Sequence, residues 1–477
     1  MRWLAALALA VAVWGEPGSR ACAPCHREIF EAQRRSGMAR SSGRVGDGFE
    51  KFDAALFRGP GARYRVAPSY EVDYGKGTFR MEYFVGSGAV GRSYAGFVDG
   101  FLFQSPASYF SSRGAWGLSP GYGTKPFVDV ARPVESACLQ CHASGARVVA
   151  ATQNAYADPP FVEGGVSCER CHGAGEAHVA RTGPIVNPAK LPAARRDSVC
   201  LQCHLTGAAR VARAGRGPET FRAGDLLSDH LLVFVGGRGG ERAATDHAEQ
   251  LARSRCAQAS GEKMWCGTCH DAHAGTTRQA ACLDCHQPHA NGGSDCAGCH
   301  MPKGRSREGE HVVYTDHTIA RRPGTAAALK ELRPFAGMAP TEREWALAEP
   351  AKRVAVLEKL AAGPAADAAV LVQLAQLYDG RGKGGTLYER VLGLQPDHAT
   401  AMANLGIYRM QEGRGREALA LWAKAFAKNP GMLAVGLNLA MGQMQAGDKL
   451  GAAATLRRVL RFHPDSAQAR DLLGKLL

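Results

Sequence analysis

Residues 266–300 read CGTCHDAHAGTTRQAACLDCHQPHANGGSDCAGCH. Three copies of one five-residue word, C-x-x-C-H, stand inside them: Cys266 to His270, Cys282 to His286 and Cys296 to His300. Moving outward, the word recurs at Cys200 to His204, Cys168 to His172, Cys138 to His142 and Cys22 to His26. At this chain's Cys and His content roughly 0.02 such words are expected by chance, so seven are not accidental. C-x-x-C-H is the attachment signature of c-type haem, in which two thiols link to the porphyrin vinyl groups and the next histidine takes the iron. Structural zinc would not require a histidine directly after each pair. A redox dithiol would normally occur once, and a disulfide framework would not impose one spacing seven times. The cofactor read here is seven covalently attached haem c groups. They are held by Cys22, Cys25, Cys138, Cys141, Cys168, Cys171, Cys200, Cys203, Cys266, Cys269, Cys282, Cys285, Cys296 and Cys299. One cysteine remains outside the words, Cys256, and it reads as a buried, inert thiol.

The 477 residues open with MRWLAALALAVAVWG, one arginine before a short apolar run and small residues. That run is too short to span a bilayer, so residues 1–15 read as a secretory signal peptide. No later segment approaches 18 uncharged apolar residues, and GSRAC around Cys22 lacks the context of a lipid-anchor site. The chain is expected to be exported to the periplasm, with an extracellular or membrane-associated location as the other options and no transmembrane segment after maturation. Its net charge of +14 invites a nucleic-acid reading. Seven haems would add roughly 14 propionate charges of opposite sign, which removes that inference: the surplus Arg and Lys are expected to pair with propionates.

Composition divides the chain into a multidomain arrangement. Residues 16–131 carry the first haem word and a β-rich stretch, expected over about 50–112 as a small antiparallel insertion. There ARYRVAPSYEVDY and TFRMEYFV flank a GKG turn, and Asp99-Gly100 gives a hairpin signal between SYAGFV and FLFQSP. Residues 132–322 are Gly- and Pro-punctuated, read as a loop-rich multihaem core with short helices, in which the haems supply most of the apolar interior. Residues 323–340 read as a linker, and 341–477 as all-α. Pro396, Pro430 and Pro464 recur at one interval of 34 residues, as do Gly406, Ala440 and Gly474, and likewise Ala418 and Ala452. This resembles the tetratricopeptide repeat (TPR), a helix-turn-helix unit that stacks into a solenoid. ALAEPAKRVAVLEKLA reads as a capping helix pair.

The proximal iron ligands follow from the words: His26, His142, His172, His204, His270, His286 and His300. Seven further histidines precede residue 323: His178, His230, His247, His273, His289, His311 and His317. One distal histidine per haem is therefore available. His273 and His289 lie three residues after their own proximal ligands, too close to reach the opposite face of the same haem. They are expected to ligate neighbouring haems, and so is His178. His311 and His317 follow the last word and are expected to reach back. His230, in LSDHLL, reads equally as a core histidine. Met38, twelve residues after His26, is a candidate thioether cap for the first haem, which would raise its potential.

The haem half resembles the multihaem cytochromes c of the hydroxylamine-oxidoreductase and tetrahaem-partner type, in particular bacterial members fused to C-terminal TPR repeats. The likeness is carried by SRACAPCHREIFEAQRRSGMARS, VGSGAVGRSY, CERCHGAGEAH, HAEQLARSRCAQASGEKMWCGTCHDAH, CHMPK and HVVYTDHTIARRP. It implies closely stacked, mostly bis-histidine haems and electron traffic in the periplasm. Where relatives carry His in the SGM position it is a distal ligand; here that position is Met38. The expected role is electron transfer along the haems, with redox proteins as partners and a protein or peptide ligand for the TPR half. The other reading is a reductase or oxidoreductase of a small nitrogen or sulfur compound, which needs one haem with an open distal face. No C-x-x-C-K word is present. If the TPR half is only a docking module, removing residues 341–477 leaves the haem spectrum intact.

Overall fold

The computed structural model describes residues 18–477 apart from 54, 60–61, 123–131, 151, 208, 214–215, 236–244, 288–294, 307–312, 323–352, 364–365, 367 and 380–381. The expected signal peptide (1–15), the expected linker (323–340), the first half of the expected capping pair, His289 and His311 lie outside the described residues.

The β-rich stretch forms two antiparallel sheets. Strands Leu56–Gly59, Ala62–Val66, Glu71–Asp73 and Thr78–Arg80 pair in chain order. The second sheet runs Ser42–Arg44, Tyr83–Val85, Gly91–Val98, Phe101–Phe110 and Ala115–Leu118. Alternation explains the first: Tyr64 and Val66 are buried while Arg63 and Arg65 face solvent. The long hairpin closes at Asp99-Gly100, where both residues take positive φ (51° and 81°), the hand that a two-residue turn between twisted strands requires. The sheets thus reach from residue 42 to 118, wider than the expected 50–112 on both sides.

Their interior holds one charged knot. Glu50 accepts from Tyr70 Oη at 2.6 Å, Tyr94 Oη at 2.7 Å and Arg92 Nη1 at 3.1 Å. The Arg92 guanidinium lies over Phe49 and Phe84, 4.1 and 3.8 Å from their ring centroids. A buried carboxylate is tolerable when every oxygen is satisfied in this way. Asp47 also bonds Arg92, and that contact holds its carboxyl below the usual range.

Between residues 132 and 322, short helices carry the haem words: Ser136–His142, Glu169–His172, Ala193–His204, Cys266–Cys269 and Cys296–His300. Four two-stranded ladders lie among them: Ala143–Val148 with Tyr156–Gly164, Ala209–Ala212 with Leu231–Phe234, His270–Asp271 with Thr276–Thr277, and Lys303–Arg305 with Val313–Thr315. This region has more ordinary core than its composition suggested. Leu231 to Val235 are all buried and pack with Leu201, Leu205, Phe221 and Leu227, and with Leu357, Leu360, Leu371 and Leu374 of the helical half. One apolar core therefore crosses the boundary between the two halves.

The helical half consists of Arg353–Ala362, Ala368–Tyr378, Gly385–Leu394, Ala399–Gln411, Gly415–Lys428, Leu433–Gln445, Lys449–Phe462 and Ala467–Gly474. First helices begin at Ala399, Leu433 and Ala467, and second helices at Gly415 and Lys449, each series at the 34-residue interval. Close packing explains the small residues. A Cβ on Gly406 would collide with the Trp422 indole, and Trp422 Nε1 donates to Ala403 O at 3.0 Å across the same crossing. At the far end, Phe462 packs edge-on against Phe101 and tilted against Phe103 of the β hairpin (ring centroids 6.1 and 5.7 Å apart). Arg461 pairs with Asp99 in the hairpin turn, and Asn429 bonds Gln153. The helices are packed onto the haem half at both ends. Among the described residues no helix is long and apolar enough to cross a membrane.

Candidate haem sites

One turn of helix puts the two cysteines of each word, three residues apart, on one side of the backbone, with histidine next. The turn closes locally: His26 N donates to Cys22 O at 2.9 Å, His172 N to Cys168 O at 3.0 Å and His286 N to Cys282 O at 2.9 Å. Words one and six keep this bond outside any α-helix, so the five-residue sequence itself supports the shape.

The motif histidines meet ligand-capable partners from elsewhere in the chain. Two imidazoles on opposite faces of one iron, each with a metal–nitrogen bond of about 2 Å, have ring centroids roughly 6 Å apart. The His26 and His178 rings are 6.2 Å apart with planes 17° from parallel. His172 and His273 are 6.0 Å apart at 5°, and His270 and His317 are 6.1 Å apart at 19°. His204 and His247 lie closer, at 5.3 Å and 57°, with His317 a further 4.5 Å from His247. Each pair joins a motif histidine to a non-motif one. The ring separations of the first three pairs match that spacing.

Hydrogen bonds orient several of these rings. Nδ1 donates to a backbone carbonyl in His172 (Val186 O, 2.8 Å), His300 (Ala320 O, 3.1 Å) and His317 (Thr315 O, 2.8 Å). A carbonyl only accepts, so Nδ1 carries the proton and Nε2 keeps its lone pair for a metal. Burial favours the neutral, ligating form in His142, His172, His204, His270 and His317, all lowered from the ordinary value, and pushes His247 down to about 3. For His247 the neighbouring histidines add to that shift.

The words also lie close to one another. Cys22 and Cys168 are within hydrogen-bonding reach, as are Cys141 and Cys203, Cys200 and Cys266, and Cys282 and Cys296. These contacts link words one and three, two and four, four and five, and six and seven. No group of three or more His, Cys, Asp or Glu side chains among the described residues is arranged to hold a metal ion by itself. Paired ligands on either side of a planar group suit haem better than a tetrahedral ion.

The remaining candidates divide. The ring facing His26 belongs to His178, the position that the sequence offered to Met38. Met38 instead contributes its carbonyl, which accepts from Ser41 N and Val166 N at 3.2 and 3.0 Å. His230 is 2% exposed; its Nδ1 lies 2.8 Å from Thr220 Oγ1 and its Nε2 3.1 Å from Asp225 Oδ2. That is the setting of a core histidine, as its apolar flanks allowed. One residue outside the histidine set faces a haem word: Cys256 Sγ lies 3.8 Å from His286 Nε2. Its signal in the sequence was only that it stands alone outside the seven words.

Comparisons with known proteins agree with this division. The family model described as cytochrome c554 and c-prime matches residues 124–173, and a tetratricopeptide repeat model matches residues 409–476. The chain therefore contains a cytochrome c-type part, for which haem c is the implied cofactor, and a C-terminal TPR part of the kind that mediates protein interaction. Curated proteins give no match. Among solved structures, the chain is similar to MamA from AMB-1, 23% identical over 26% of this chain and 70% of that one, with a TM-score of 0.25. It is also similar to YrrB, a TPR protein with an unusual peptide-binding site (18% identical, 27% and 66% covered, TM-score 0.23). A third is the first TPR of Spaghetti (RPAP3) bound to an HSP90 peptide (18% identical, 23% and 90% covered, TM-score 0.22).

Proposed function

We propose that this chain is an exported c-type cytochrome with seven haems that passes electrons between partner proteins, its TPR half providing a docking surface. The observation that carries this reading is the set of three motif-to-distal histidine pairs with ring separations of 6.0–6.2 Å. When bound, the haems supply reversible one-electron redox chemistry. At these three sites the chain's own histidines would hold an iron from two sides, which would leave no coordination position for a substrate there. The close approach of cysteines from different words, which groups words one and three, two, four and five, and six and seven, supports electron exchange between neighbouring haem sites. The resemblance to the hydroxylamine-oxidoreductase and tetrahaem-partner group, and residues 1–15 read as a signal peptide, support a periplasmic location. His289 and His311 remain assigned as distal ligands from the sequence, and Met38 as a reserve cap of the first haem. His230 is left out of the set.

Expression with a c-haem maturation system, followed by intact mass and pyridine haemochrome assay, tests the reading. Seven haems per chain that stay attached after acid-acetone extraction are expected. A chain that carries zinc, or fewer haems than words, would overturn it.

A further inference from the structure

A motif histidine that binds iron through Nε2 keeps its proton on Nδ1, and that proton needs an acceptor. His172 and His300 give it to backbone carbonyls, Val186 O and Ala320 O. For His204 the partner is a side chain: its Nδ1 meets Nδ1 of His247 at 3.3 Å. Two imidazole nitrogens on opposite sides of one iron stand about 4 Å apart, from two bonds of about 2 Å. At 3.3 Å, with ring planes 57° apart, the space between these two rings suits a hydrogen bond and not a metal. The near-parallel pairs at 6.0–6.2 Å are of the other kind.

The tautomers follow from that contact. With Nε2 of His204 kept for iron, its Nδ1 is the donor and Nδ1 of His247 accepts. A neutral imidazole that accepts at Nδ1 carries its proton on Nε2, and a protonated nitrogen has no lone pair for a metal. His247 therefore cannot ligate an iron in this arrangement, although the sequence offered it as a distal ligand.

The contact is fixed from both sides. Residues 204–207, at the end of the fourth word, are tied to 245–247, at the start of the His247–Ala252 helix. Thr206 Oγ1 bonds Thr245 Oγ1, and the buried Asp246 carboxylate accepts from Gly207 N at 3.0 Å. His204 with His247 is the third link. From the same helix Gln250, 3% exposed, accepts from His317 N at 2.8 Å. His317 gives its own Nδ1 proton to Thr315 O and stands near-parallel to His270, the orientation of an iron ligand. The His247 ring packs edge-on against it, 4.5 Å between centroids at 75°. One helix thus lays a single imidazole between the proximal histidine of the fourth word and the histidine that faces the fifth.

We propose that His247 is a positioning residue, the hydrogen-bond acceptor of the proximal histidine of the haem held by Cys200, Cys203 and His204, and not an iron ligand. This rests on the haem reading above. The distal place on that iron is left to a residue outside this cluster. An acceptor behind Nδ1 fixes the ring of His204 and makes it a stronger donor to iron, which favours the ferric state.

The test uses the full-length holoprotein, with haem content measured first, then ferric EPR spin quantitation and a spectroelectrochemical titration. The wild type is expected to carry seven haems. In His247→Ala every haem is expected to keep its spin state while one potential rises, by about tenfold in its ferric-to-ferrous equilibrium or about 59 mV for one electron. His247→Asn sets an amide oxygen near the place of Nδ1 and is expected to return that potential to the wild-type value. One haem turned high-spin in both variants would make His247 a distal ligand and overturn the proposal. Unshifted potentials in His247→Ala, or equal shifts in both variants, would also overturn it. Each of these results leaves the cytochrome reading intact. Fewer than seven haems in the wild type would overturn that reading and this one with it. Should His247→Ala fail to accumulate, His247→Asn decides: unchanged spin states and potentials support the assignment, and a new high-spin haem overturns it.

Discussion

At the residue scale, His273 shows how far a ligand's role depends on the local turn. It is three residues from His270, yet its ring lies parallel to that of His172. The Asp271 carboxylate accepts from His273 N at 2.8 Å and Ala274 N at 3.1 Å, closing a tight turn inside the His270–Asp271 and Thr276–Thr277 ladder. The turn aims His273 outward. His273→Ala is therefore expected to convert one haem, that of His172, from low-spin to high-spin with haem content unchanged; EPR spin quantitation reads this, and an unchanged spectrum would contradict the pairing. His230→Ala makes the opposite prediction. It should leave every haem signal in place and cost about 1–3 kcal/mol of stability from Thr220 and Asp225 left without their partner, measured by urea unfolding. The spacing of three residues already excludes His273 from its own haem. Which other haem it reaches depends on contacts across about a hundred residues of chain, which no local pattern encodes.

At the level of elements, the 34-residue interval was legible because each repeat must bury the same positions against its neighbour. Gly406 and Trp422 make the reason concrete, since the indole occupies the space that a side chain at 406 would fill. Gly406→Leu is expected to destabilise the helical half by about 1–3 kcal/mol through overpacking. The check is a lower thermal midpoint in far-UV circular dichroism, with the haem bands unaffected below that midpoint. The Asp99-Gly100 hairpin was equally legible, because few dipeptides accept positive φ at both positions. The four small ladders among the haem words were not. Two of them have only two or three residues per strand, too short to leave an alternating pattern. The one around LLVFV has a fully buried strand and so shows none, and the one pairing Ala143–Val148 with Tyr156–Gly164 is broken by a register shift and by Pro159-Pro160.

On the scale of the whole molecule, the two halves are less separable than their compositions imply. Leu231 to Val235 share a core with Leu357, Leu360, Leu371 and Leu374, and Phe462 sits against Phe101 and Phe103. The sequence marks the composition shift at residue 323 but carries no sign of this long-range packing. Removing residues 341–477 would expose the Leu231–Val235 strand, so the truncated chain is expected to lose solubility and haem content; a truncated chain with the full haem spectrum would contradict the shared core. Phe462→Ala, a gentler change, should cost about 3–5 kcal/mol and loosen the hairpin, read as faster hydrogen exchange over Phe101–Phe110. Docking through the TPR half would then act on a surface rigidly joined to the haems.

The central claim is that the chain conducts electrons through seven haems each held on both faces. Ferric EPR of the purified full-length protein, quantified against its haem content and repeated after adding nitrite or hydroxylamine, tests it most directly. The account predicts seven low-spin haems per chain and no change on addition. A high-spin haem that shifts with either compound would contradict it and make this protein an oxidoreductase with a substrate of its own.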